Sequence, residues 1–274
     1  MGGPGGAGGG PPGGPGGRTT SGAGGLTTSR PGKPTPEVSF RFMTTDPPSQ
    51  PSQPTAPLDL VFPTDNPLEL PTLRLDRQAS AIVAPMACWG TVRRRDQRNV
   101  NSWHFYTDDY RFSRLWTHPQ DVVATGAKVC VEPNFSALDS MPFPVGWNNL
   151  YRKRWVARWW QDQGIDIIAD LYVGAKYQAH NWMGIPRGWR AYATRGSAED
   201  PEATVSLFYR ASEHAGTDQI LYYVYGGGIT QARVLRDAKI PVVLSDYYRD
   251  HDASWWLATK GSADPIPQLT LLAD

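Results

Sequence analysis

The sequence predicts an α/β fold: a mostly parallel sheet with alternating helices, barrel-like, behind a disordered N-terminal tail. Three observations carry this. Short runs of Val, Ile, Leu, Ala and Tyr recur along the chain and are continuously apolar, as in strands buried on both faces. Between them lie segments of helical period, so strands and helices alternate. Before them stands a stretch that is almost pure Gly and Pro, "MGGPGGAGGGPPGGPGG", followed by "TTDPPSQPSQPTAPLDL". Such a stretch cannot bury enough apolar surface to offset its chain entropy.

Residues 1–75 are therefore expected to be a disordered tail, dispensable for folding, and residues 76–274 a single domain of roughly 200 residues, enough for a sizeable core. Within it, "SAIVAPMAC" reads as the first strand and "SWHFYT" as the second. "DDYRFSRLW" reads as a helix start with acids in its first turn, and "HPQDVVATG" as a short helix stopped by Gly. "AKVCVEP" is the third strand, and a long helix runs from about Pro144 to Gln163, closed by Gly164. "IDIIADLYVG" and "GWRAYATRG" are strands four and five. "DPEATVSLFYRASEHAG" is a helix with Asp200 at the N-cap, Pro201 at N1 and Gly216 after its end. "QILYYVYGGG" is strand six, "ITQARVLRDAK" a helix and "IPVVLSD" strand seven. Seven strands fit an incomplete (β/α) barrel or an open doubly wound sheet. The barrel is favoured because nearly every strand has a helical partner of modest length.

Composition narrows the function classes. The net charge of +1 argues against a protein coated by nucleic acid over its whole surface, while leaving room for local basic patches. The two cysteines, Cys88 and Cys130, both sit in apolar runs and read as buried thiols. No Cys/His spacing suggests zinc, and no metal or cofactor is expected. No signal pattern or membrane-length apolar run is present, so a cytoplasmic protein is expected.

In either architecture, function belongs at the carboxyl ends of the strands. Those ends supply Trp89 and Gly90; Asp108 and Asp109; Glu132, Asn134 and Ser136; Asp170, Tyr172 and Gly174; Arg195; Gly226, Gly227 and Gly228; and Ser245, Asp246 and Tyr247. Several carboxylates on one rim can divide into acid and base roles, although Asp108 or Asp109 would serve equally well as a helix cap. The glycine triplet is neither a Walker A loop nor G-x-G-x-x-G. It admits a flat ring or a phosphate close to the backbone, or it makes a tight turn with positive φ. On the long helix, Trp147, Leu150, Tyr151, Trp155, Trp159 and Trp160 have core spacing. Arg152, Lys153, Arg154 and Arg158 fall elsewhere around it, as a solvated face or a phosphate-contacting one, to which "TVRRRDQR" would add.

Two resemblances go further. "HFYTDDYRFSRLW", "EPNFS…MPFPVGWNNLYRKRWVARWWQDQGIDII" and "GIPRGWRAYATRG" together resemble an uncharacterised domain family of bacteria, phages and other mobile elements, over about Ile82 to Asp246. Glu132 to Gly164 is the most specific part. The family usually carries Asp at the position of Glu132, and a Trp-Gly pair where this chain has Tyr172-Val173-Gly174. The resemblance implies a compact α/β domain in a mobile-DNA context. More faintly, "LYYVYGGGITQARVLRDAKIPVVLSDYYRDHDASWW" is similar in layout to tRNA-guanine transglycosylase-like barrels, whose phage relatives insert 7-deazaguanines into DNA, although their zinc site is absent. That likeness implies Asp246 as nucleophile, Gly226 to Gly228 against the base, and Asp109 or Asp108 as general base.

The resulting expectation is a nucleic-acid base-modifying enzyme: a glycosyltransferase exchanging guanine for a 7-deazaguanine in phage DNA. Its other rim residues, Glu132, Asn134, Ser136, Asp170 and Arg195, would bind substrate. DNA is the expected partner ahead of RNA, with no membrane. The alternatives are a non-catalytic DNA-associated or structural accessory protein, and glycosidic hydrolysis by paired carboxylates including Glu132.

Overall fold

The computed structural model describes residues 60–245. They contain strands β1 (Met86–Cys88), β2 (Ser102–His104), β3 (Val129–Val131), β4 (Asp166–Asp170), β5 (Ala191–Arg195), β6 (Leu221–Tyr225) and β7 (Val243–Ser245). The helices are α1 (Gln120–Val123), α2 (Phe143–Asp162), α3 (Gln178–Asn181), α4 (Glu202–Ala215) and α5 (Gly228–Asp237). The strands form one sheet in chain order, and every neighbouring pair is parallel.

Spatial order equal to chain order decides between the two architectures. A doubly wound sheet reverses its winding at a switch point. Here it never reverses, so right-handed crossovers carry all the helices to one face. The sheet also curls. His104 on β2 and Tyr225 on β6 have ring centroids 4.4 Å apart, whereas four flat strand spacings would separate those strands by about 19 Å. The fold is a seven-stranded, all-parallel half-barrel with helices outside.

Period-two alternation sorts each strand. On β2, Trp103 and Phe105 face the helices: Trp103 Nε1 donates to Thr125 Oγ1, and Phe105 stacks on Trp160 of α2 at 5.4 Å. His104 and Tyr106 face inward, against Tyr223 and Tyr225 of β6. Tyr222, between those two tyrosines, reaches outward to the Thr204 carbonyl of α4. Burial pushes the imidazole of His104 down to about 3.

Some local expectations are corrected. Only Met86–Cys88 of "SAIVAPMAC" pairs as a strand; before it, Val83 N–H and C=O bond the Ser102 hydroxyl instead of a ladder. "DDYRFSRLW" forms two 3-10 turns, Asp109–Arg111 and Ser113–Trp116, broken at Phe112 (φ −130°). Pro201, not Asp200, occupies the N-cap of α4, without a side-chain cap bond. Gly216 closes α4 as expected, in left-handed conformation.

The packed body also starts earlier than residue 76. Phe62, Leu70 and Leu73 are buried in it. Residues 60–77 form a strap over α2: Trp155 Nε1 donates to the Leu60 carbonyl at 2.9 Å, and the Gln161 side chain accepts from Arg74 N–H and donates to its carbonyl. Composition placed this stretch in the tail because its prolines outweigh its few leucines. Residues 1–59 of the expected tail lie outside the described residues.

Candidate functional site

A cleft of about 1150 Å³ opens at the carboxyl ends of the strands. It is lined by Gly90, Asp108, Asp109, Asn134, Ser136, Tyr172, Arg195 and Gly226 to Gly228 of the sequence-derived set, and by Tyr106, Arg111 and Tyr225. Its walls are thus tyrosine rings, a glycine floor, two guanidinium groups and two carboxylates.

The glycine floor has a backbone cause. Gly226, Gly227 and Gly228 all have positive φ, at 83°, 82° and 59°. Three successive residues in that region strongly favour glycine. A Cβ on Gly227 would lie 2.6 Å from Gln231 Cβ, so the turn is also close-packed. Gly226 differs: the nearest atom to a Cβ there, the Gly196 carbonyl oxygen, is 3.9 Å away. Buried Gln231 holds the adjoining β5 loop, accepting from Ser197 N–H and donating to the Pro201 carbonyl.

The two neighbouring aspartates have separate situations. Asp109 is tied on both oxygens: Ser136 N–H donates to Oδ2 at 3.0 Å and Ser136 Oγ to Oδ1 at 2.9 Å. Asn149 in turn donates to the Ser136 carbonyl. Asp109 is thereby the clasp that fixes the loop after β3. Asp108 is exposed and makes no side-chain cap bond.

Glu132 and Asp170 do not reach the cleft surface. Both are fully buried, one layer below it. Asp170 Oδ1 accepts from Tyr106 Oη at 2.8 Å and from Tyr172 N–H at 3.1 Å; its Oδ2 pairs with Lys153 Nζ at 3.1 Å. Lys153 Nζ and Asn181 Nδ2 also donate to the Asp170 carbonyl. With its amide nitrogen assigned to the side facing two acceptors, Asn134 donates to Asp170 Oδ2 and to the Tyr172 carbonyl, both at 3.2 Å. Glu132 Oε2 accepts from Asp170 N–H, and its Oε1 lies 3.2 Å from Arg154 NH1, an ion pair not aligned as a hydrogen bond. Burial raises the Glu132 carboxyl above its ordinary value, against the pull of Arg154 and Lys153, and burial lowers the Arg154 guanidinium. The layer bears on the cleft through Tyr106 and Asn134, which touch both. Burial also pushes the Tyr106 phenol well up, so it acts as a neutral hydroxyl.

These partners take Lys153 and Arg154 out of the phosphate-contacting face expected on α2. Lys153 and Arg154 are fully buried in ion pairs with β-strand acids, because their side chains climb toward the helix N-terminus, where the strands end. Arg158 is nearly buried, paired with Asp162 and lying over the Phe62 ring at 4.9 Å. Arg152 stacks over Trp116 at 5.5 Å. Asp246 and Tyr247 lie outside the described residues; β7 ends at Ser245, whose carbonyl accepts from Gly226 N–H at 2.7 Å. Sequence reasoning missed Tyr106, Tyr225 and Arg111. The period-two alternation of "SWHFYT" and "LYYVYG" could have found the two tyrosines. Among the described residues no group of His, Cys, Asp and Glu is placed to hold a metal ion, and no helix is long and apolar enough to cross a membrane.

Comparison with known proteins places this geometry in a family. The chain is 34% identical over 117 residues to the Gene 1 protein of Mycobacterium phage D29, covering 40% of this chain and 42% of that one. It is 33% identical over 115 residues to the Gene 1 protein of Mycobacterium phage L5, covering 40% and 49%. The match spans less than half the length of these relatives. No solved structure matches. Residues 62–208, which include the strap over α2 and the cleft-lining loops after β2, β3, β4 and β5, match the model of a domain of unknown function, DUF4417; the chain belongs to that family, which has relatives in phages.

Proposed function

We propose that the domain binds a nucleobase unit of a nucleic acid in the rim cleft and exchanges the base by a transglycosylase-like reaction. The observation that carries this reading is the composition of the cleft. A glycine floor with an open face at Gly226, three tyrosine rings and Arg195 and Arg111 suit a flat, phosphate-bearing ligand, and carboxylates stand at its edge. Asp246, next in the chain after Ser245, is the proposed nucleophile. Its carboxylate attacks C1′ as the bond to the outgoing guanine breaks, and the guanine takes up a proton from water. The incoming 7-deazaguanine then displaces the carboxylate and gives up its own proton. Asp108 is the proposed proton acceptor, since Asp109 is held on both oxygens by Ser136. Glu132 and Asp170 support the site from below and take no direct part. DNA is the proposed polymer, on the phage relationship.

The test is incorporation of labelled 7-deazaguanine into duplex DNA. Wild type is expected to incorporate it, and Asp246→Asn to lose activity and any trapped adduct with an unchanged melting temperature. Exchange surviving in Asp246→Asn removes Asp246 from the nucleophile role. A second reading, a non-catalytic nucleic-acid-binding accessory protein, is favoured by the engagement of Asp109, Glu132 and Asp170 in structural bonds. Oligonucleotide binding by a wild type that exchanges no base supports it.

A further inference from the structure

On the outer side of the β1–β2 edge is a second concavity, of about 810 Å³, lined by Arg94, Arg95, Arg98 and Arg114 with Gln97 and Asp121. Four arginines face one aspartate there, in a chain whose net charge is only +1. Three of them come from the 3-10 segment Arg94–Asn99, which stands where a crossover helix would otherwise pack.

These arginines are not engaged in holding the fold. Arg114 meets Asp121 at 3.3 Å and Arg95 meets Asp96 at 3.6 Å, but the two arginine side chains are 69% and 74% exposed. Pairs so exposed contribute little. Arg94 and Arg98 are exposed and have no acidic partner among the described residues. Clustering like charges costs stability, so folding gives no reason for it. Arg154 and Arg158, by contrast, are packed and paired.

We propose that this groove is the docking track for the phosphodiester backbone of a polynucleotide whose base occupies the rim cleft; the proposal rests on the nucleobase reading of that cleft. Continuity supports it. Trp89 lines the groove, and the next two residues, Gly90 and Thr91, line the cleft. Arg111 in the cleft donates to the Gly90 carbonyl, bracing that junction. Guanidinium groups line both, Arg195 and Arg111 in the cleft and four in the groove. Several planar forks spread over two segments suit successive phosphates better than one enclosed anion. A membrane surface fits poorly, because the one large apolar lining residue, Trp89, is buried against Trp103 rather than available to insert.

The experiment uses the full chain and a short fluorescein-labelled oligodeoxynucleotide, with anisotropy read across a salt series. The triple variant Arg94→Ala/Arg98→Ala/Arg114→Ala is expected to bind about tenfold or more weakly and to lower the salt slope by about 2, with an unchanged melting temperature. The corresponding triple Lys variant is expected to recover most of the binding, since a phosphate track needs charge first. Equal affinity and slope in wild type and Ala variant overturn the proposal. So does absence of oligonucleotide binding by wild type, or displacement of the oligonucleotide by equimolar mononucleotide, which would make the groove a single-phosphate site. Binding that depends on the groove without any base exchange keeps the track and removes the exchange reading. Exchange that is indifferent to the three arginines removes the track alone.

Discussion

Two basic triplets in this chain, Arg93-Arg94-Arg95 and Arg152-Lys153-Arg154, have nearly the same composition and opposite fates. The first stays in solvent on a 3-10 segment. The second is folded inward on α2, where Lys153 meets Asp170 and Arg154 meets Glu132. The difference lies in what each triplet faces. The carboxyl ends of β3 and β4 present two buried acids to α2, and an acid in that position requires a cation. The β1–β2 crossover faces no such acid, so its charges remain available to an outside partner. A basic run is thus informative about binding only once the acids of the fold have been assigned.

The largest perturbation of the comparison should come from removing the strap that closes over α2. A chain beginning at Asp76 should be less stable than one beginning at Leu60 by on the order of 5 kcal/mol, because it loses the burial of Phe62, Leu70 and Leu73. Thermal and denaturant melts of the two chains check this, and equal stability would return residues 60–75 to a dispensable tail. Next, Lys153→Met should cost about 3–5 kcal/mol by leaving the Asp170 carboxylate buried without its cation. Adding Asp170→Asn should recover part of that loss, and a double-mutant cycle measures the coupling.

A buried group kept neutral gives a third measure. The His104 imidazole is depressed to about 3 from an ordinary value of 6.5, so the unfolded chain binds its proton first on acidification. Its stability contribution is fully present above pH 6.5 and is lost as pH falls toward 3, at up to about 1.4 kcal/mol per pH unit. Melts between neutral pH and pH 5 should show this slope in wild type and a shallower one in His104→Gln. The smallest expected stability change is at the exposed triplet: Arg94→Ala should alter stability by no more than about 0.5 kcal/mol, while the salt-dependent binding described above weakens.

The sheet was the most legible part of the sequence, because a strand covered on both faces must be apolar throughout and its carboxyl end must be polar. All seven strands fall within their predicted runs, and Asp108, Asp109, Asn134, Ser136, Arg195 and the glycine triplet do line one cleft. Glu132 and Asp170 were legible as strand-end acids but not as buried ones. A one-residue difference along a strand turns a side chain from cleft to helix layer, and the cation that meets it comes from a helix many residues away.

Local chemistry alone determined a good deal: the strand positions, the Gly216 stop of α4, and a glycine turn at residues 226 to 228, whose three positive φ angles suit glycine best. Tertiary structure decided the rest. Singly wound order rather than a reversal, the curl that brings β2 against β6, and the packing of the strap on α2 all depend on contacts between distant segments. So does the fate of each charge. Arg154 meets Glu132 at 3.2 Å and Arg114 meets Asp121 at 3.3 Å, but the first pair is buried and the second lies in solvent; whether an arginine is a structural counter-ion or an exposed contact is set by that burial, which is not a property of the neighbouring sequence.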